Sequence, residues 1–284
     1  MSSFLTDLVE LSFLQNALLA GILCSIATGV VGTFVVLRRI TYIAAAISHC
    51  VLGGIGAARF FSVVYSLDWL KPVHGAIFSA LASALVIGLV SLRAREREDT
   101  AISALWAVGM AAGIMFIFKT PGYNEDLMSY LFGNILMVSR DDLILVAVLD
   151  LLVVALTMVF YRQMIAVCFD EEFARTRGVR VEFYYLLILC LTALTVVLTV
   201  SVVGIIMVIA LISLPVAISS RFFNRVSGIM MFSVFLGMFF TSSGLVLSYE
   251  PNLPSGAVTI LLAGLVYLMT ILFSSFKEVF KSKV

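Results

Sequence analysis

His49 and Asp150 are the two ionisable side chains in this 284-residue sequence that lie deep inside apolar runs, AAAISHCVLGGIGAA and LVAVLDLLVV. An ionisable group in such a run marks a functional candidate. A neutral imidazole ligates zinc and several other transition metals. Asp150 would add the oxygen ligand that a single His lacks if its helix faced the one carrying His49. The alternatives are a packed, hydrogen-bonded histidine and an Asp150 paired with an Arg, Ser or Thr. His74, near Asp68 and Lys71, reads as a solvated interface residue. No G-x-x-x-x-G-K-[ST] phosphate loop, H-E-x-x-H, G-x-S-x-G or Cys/His cluster with zinc spacing occurs. The sequence reads as a non-enzyme without a permanently bound cofactor.

A second concentration of chemistry is FDEEFARTRG, Phe169–Gly178. Asp170 is placed to cap a short helix. Glu171 and Glu172 meet the positive end of its dipole, and Arg175 and Arg177 the negative end. Gly178 suits the left-handed stop, and Phe169 is placed to staple the first turns. A helix of roughly eight residues spans about 12 Å and is marginal alone in water. Something must hold it, with Phe173 as the apolar handle: its own bundle, or a cytoplasmic partner.

The elements that position these residues follow from composition. The chain is 62% hydrophobic and 12% charged, and its mean hydropathy is +1.14. Apolar runs recur near the span length of a bilayer-crossing helix. We therefore expect an all-α, polytopic transmembrane bundle, one domain over 1–284, embedded in a lipid bilayer. Nine spans are expected at 13–36, 43–61, 74–92, 101–119, 142–161, 183–200, 203–219, 227–247 and 257–275. DLMSYLFGNILMVS, between the fourth and fifth, reads as a surface helix or a re-entrant segment. The first run ends in Arg38-Arg39 without a small-residue cleavage site, unlike a signal peptide.

With the amino terminus outside, 14 of the 18 Lys and Arg residues fall inside, leaving Arg59, Lys71, Lys119 and Arg140 outside. That bias sets the amino terminus out and the carboxyl terminus in the cytoplasm. Pro215 alone among the prolines falls within a span, where a kink is expected. The four cysteines lie in spans or in the cytoplasm, so no disulfide is expected. No basic run suits nucleic acid. The outer acidic residues Glu125, Asp126, Asp141, Asp142 and Glu250 read as a solvated rim or a docking surface.

Four stretches carry a family resemblance: FVVLRRITYIAAAISHC, DLMSYLFGNILMVSRDDL, FDEEFARTRGV with LTALTVV, and GIIMVIALISLPVA. In that order, and across nearly the whole chain, the sequence resembles the membrane permease subunits of bacterial ABC importers for zinc, manganese and iron. The resemblance implies a homodimer in the bacterial inner membrane, a separate cytoplasmic ABC ATPase and an extracytoplasmic metal-binding protein. It makes 169–178 the coupling helix, with Phe173 and Ala174 filling a groove of the ATPase. It also places His49 in a G-D-[AT]-L-[AS]-H motif, in which Ala45 stands at the Asp position. Zinc is favoured on DLMSYLFG, with manganese or iron as alternatives. A proton-coupled secondary transporter using His49 and Asp150, and a scaffold protein, are the competing classes.

Overall fold

A helix that is apolar on every side must be enclosed by protein or lipid. The computed structural model describes residues 2–93, 98–122, 133 and 135–281 and separates the two cases. Its helices are α1 (Ser2–Glu10), α2 (Ser12–Leu37), α3 (Thr41–Tyr65), α4 (Pro72–Arg93), α5 (Glu98–Lys119), α6 (Arg140–Val159), α7 (Tyr161–Phe169), α8 (Glu171–Thr176), α9 (Val181–Val203), α10 (Ile205–Ser219), α11 (Val226–Tyr249) and α12 (Ser255–Lys281), with a 3₁₀ turn at Ile135–Met137. No strand occurs among the described residues. In α2 and α9 the most apolar stretch is 72% buried; in α5 and α12 it is 11% and 17% buried. The first pair forms the centre, and the second presents apolar surface outward, as lipid contact requires.

Eight of these helices are long and apolar enough to cross a membrane; the ninth expected span is shorter. α10 has 15 residues, about 22 Å against a hydrocarbon core of about 30 Å. It is packed against α2, α3, α11 and α12, and a short helix is tolerated at membrane depth when protein surrounds it. α9 and α10 are separated by Gly204, at φ 84° and ψ 165°, a conformation essentially restricted to glycine. The chain breaks there, while the α10 helix runs through the buried Pro215 to Ser219.

The close approaches have a common cause. A Cβ at Gly29 would lie 2.7 Å from the Val234 backbone nitrogen, and one at Gly21 would lie 3.2 Å from Thr241 Cβ. The glycines therefore let α11 run antiparallel against α2. Four buried hydroxyls are satisfied within their own helices: Thr28, Ser48, Thr157 and Thr199 each donate to the carbonyl four residues earlier.

The contacts sort the helix ends into two sets. At one end Tyr42 meets Asp99, Tyr185 meets Ser91, and α7 and α8 fold over the end of α2. At the other, Tyr249 donates to Asp7 and Asn16 to the Val138 carbonyl. A cleft of ≈ 440 Å³ there is lined by Arg59, Pro72, Asp142 and Ser201. This is the alternation that the expected crossings require. α1, which was not expected, lies at the second end, where Gln15 donates to the Leu8 and Val9 carbonyls.

Candidate functional site

α3 carries its small residues in two rows, Ala45-His49-Gly53-Ala57 and Ala46-Cys50-Gly54-Ala58. Both rows are used for packing. A Cβ at Gly53 would lie 2.8 Å from the Gly109 carbonyl of α5, and one at Gly54 would collide with Gly75 of α4. Cys50 donates to the Leu105 carbonyl at 3.3 Å. His49 stands in the α3–α5 seam, half-buried, with its ring stacked on Trp106 at 4.7 Å between centroids and 15° between planes. Its buried Nδ1 has no hydrogen-bond partner. Gln163 Oε1 and Thr195 Oγ1 share that status. The cleft at the bundle end lines the other side of α3, through Val51 and Ile55.

Asp150 is buried, at 5% exposure, where α6 packs on α2, beside Cys24 and the Ala27 backbone. Its Oδ1 is also unpartnered. The structure does not bring Asp150 to His49. α6 packs on α2 and α9, whereas α3 packs chiefly on α4 and α5. A shared His49–Asp150 ligand pair within one chain is therefore corrected. No group of three or more His, Cys, Asp or Glu able to hold a metal occurs among the described residues. His74 is exposed and accepts from the Lys71 backbone N–H at 3.2 Å. All four cysteines are free. Glu125, Asp126 and most of DLMSYLFG lie outside the described residues.

The island at 169–178 folds as its residue types dictate. The Asp170 carboxylate accepts from the Phe173 N–H at 2.9 Å and caps α8. Glu171 and Glu172 occupy the first turn and Arg175 the last. Gly178, at φ 78°, donates to the Arg175 carbonyl, and Val179 to that of Ala174. That pair of bonds is the Schellman stop. Two expectations are corrected. Ala174 is fully buried against Val167 and Val181, so it fastens α8 to its own bundle and offers nothing to a partner's groove. Phe169 is 67% exposed, so it does not staple the helix; Val167 fills that place. Phe173 is 53% exposed, with Arg177 over its ring at 5.3 Å. Two phenylalanines thus project from a capped, anchored helix.

Sequence reasoning missed Arg38. It pairs with Glu171 of α8, donates to the Val167 carbonyl at 2.7 Å, and lies 4.8 Å over the Tyr185 ring. It had been read only as a topological charge, and nothing in its immediate sequence shows its partner 133 residues away. The capping box at α6 was missed too, although S-x-x-D before an apolar run is its signal: Ser139 accepts from the Asp142 N–H, and Asp142 accepts from the Ser139 N–H.

Residues 10–274 match the model of the ABC 3 transport family. The chain belongs to the ABC 3 transport family. Within that family's range of similarity, an uncharacterized membrane protein of Synechocystis sp. is 41% identical, over 96% of this chain and 95% of the relative. A probable metal transport system membrane protein of Chlamydia muridarum is 39% identical over 90% and 87%. The manganese transport system membrane protein MntC of Halalkalibacterium halodurans is 32% identical over 96% and 91%. Among solved structures, a chain of PsaBC from Streptococcus pneumoniae in complex with Fab superposes with a TM-score of 0.84 and 30% identity, covering 95% and 94% of the two chains.

Proposed function

We propose that this ABC 3 family chain is the integral permease of an ATP-driven importer of a divalent transition metal in the bacterial cytoplasmic membrane. The family match over residues 10–274 carries the reading, and relatives named for metal and manganese transport support the cargo class. The one relative quoted above that specifies a metal specifies manganese, so manganese stands ahead of zinc as the first metal to test. The permease works as a homodimer, with its amino terminus outside and its carboxyl terminus in the cytoplasm. An extracytoplasmic metal-binding protein delivers the cargo.

A separate cytoplasmic ATPase docks on α8. Phe173 and Phe169 are the apolar contacts, while Asp170, Glu171, Glu172 and Gly178 keep the helix formed. His49, with one unpartnered nitrogen and no carboxylate at position 45, serves as a passing ligand. Asp150 takes part in metal movement only through α2. Pro215 gives α10 a point of bending. Co-expression with its cognate ABC ATPase tests the reading. We expect a stable permease–ATPase complex that Phe173→Asp dissolves while the permease still inserts. A complex unaffected by Phe173→Asp would remove α8 as the docking element.

A further inference from the structure

The corner between α2 and α3 is closed by local hydrogen bonds. Arg39 takes the left-handed conformation at φ 60°, donating to the Val36 carbonyl, and Ile40 donates to that of Val35, both at 3.0 Å. This is the same Schellman stop that ends α8, here without glycine, in a conformation that costs a non-glycine residue energy. Arg39 faces outward, and the Arg38 side chain turns in, to 15% exposure. One guanidinium then joins four elements: its own corner, the Val167 carbonyl of α7, Glu171 in the first turn of α8, and the Tyr185 ring of α9. The planar fork of arginine allows this division of donors; a lysine ammonium does not reproduce it. From the corner, α3 runs directly to His49. Tyr42, one turn beyond Arg38, is bonded to Asp99 at the start of α5, the helix that carries Trp106.

We infer that Arg38 is a positioning residue that ties α8 to the α2–α3 corner, so that a displacement of α8 moves the corner and the His49 seam with it. The role rests on the reading of α8 as the ATPase docking helix. An ion pair this close to the surface adds little stability by itself. What it supplies is a fixed geometry between a helix otherwise held by the buried Ala174 and the exposed Arg175–Glu182 pair and the helix that carries the candidate ligand.

Two measurements test it. In proteoliposomes containing the permease–ATPase complex, metal uptake and ATP hydrolysis are measured together for the parent, Arg38→Gln and Arg38→Lys. Arg38→Gln should assemble and hydrolyse ATP within about twofold of the parent, while metal moved per ATP falls about fivefold or more, with Arg38→Lys intermediate. An unchanged ratio overturns the proposal, because a merely structural Arg38 lowers thermal stability without altering stoichiometry. Should Arg38→Gln fail to insert, Glu171→Gln, which leaves Arg38 its carbonyl partner, should show the same loss in smaller degree. The second measurement places spin labels at Arg39 and Thr176 in the isolated permease. The distance distribution should be narrow in the parent and broadened by Arg38→Gln or Glu171→Gln. An unbroadened distribution overturns the tether whether or not the complex transports. Broadening in a complex that shows no ATP-driven uptake would count against the transport reading and leave the tether standing.

Discussion

At the scale of single residues, the account turns on His49. Its unpartnered Nδ1 and its stacking on Trp106 make it available without making it a storage site. His49→Ala should leave the fold intact, since small residues line that seam, and should reduce metal uptake about tenfold or more, the scale on which even an outer-shell partner matters. Ala45→Asp adds a carboxylate one turn away and should give metal binding measurable by calorimetry in the detergent-solubilised permease, with slower release. Parent-rate uptake by His49→Ala at matched protein levels would reduce the histidine to a packing residue. Cys168, beside Arg38 and Glu171, offers a check outside the spans. Burial, reinforced by Glu171 and opposed by Arg38, pushes its thiol up to about 11. A raised thiol pKa keeps the group neutral until the pH climbs toward that value, so at pH 8 fewer than about one thiol in a hundred is ionised. A variant retaining Cys168 alone should therefore label slowly at pH 7–8 and faster only at higher pH. Labelling at pH 7 as fast as that of a cysteine at the exposed Thr176 would contradict the burial described here.

At the scale of elements, local chemistry was the most legible part of the sequence. Cap, dipole order and glycine stop of α8 could all be read because each depends on residues within one or two turns. What α8 rests on could not be read. Ala174 and Phe169 exchange their expected roles because burial is decided by Val167 and Val181, and no local rule ranks those contacts. The same holds for Asp150, whose facing helix is a matter of packing order. The 203–219 span falls within two residues of α10; hydropathy does not show where the break lies, because Gly204 ends α9 through backbone conformation. Gly204→Ala should destabilise the permease by about 1–3 kcal/mol through its left-handed backbone alone, seen as a lower Tm in detergent. At the α3–α5 seam, a Cβ on Gly109 would lie 2.8 Å from the Cys50 Cα. Gly109→Val should therefore force the helices apart, costing about 1–3 kcal/mol, and should displace Trp106 from His49. An unchanged tryptophan emission together with an unchanged Tm would contradict the seam.

At the scale of the whole molecule, hydropathy gave the bundle from composition, and the contacts sort the helix ends into the two alternating sets that successive crossings require. Which end faces the cytoplasm rests on the basic residues. A cysteine at Asn252, in a background without the native four, should react with an impermeant thiol reagent from outside, and one at Thr176 should not. The most direct measurement of the central claim is metal release from sealed proteoliposomes that contain the permease and its ATPase and enclose the metal with its binding protein. The ATPase sites face outward, so that added ATP drives manganese or zinc from the vesicle interior to the cytoplasmic side. The account requires ATP-dependent metal efflux that persists after a protonophore collapses any proton gradient and that is lost with Phe173→Asp. Metal movement that needs no ATP and stops with the protonophore would contradict it.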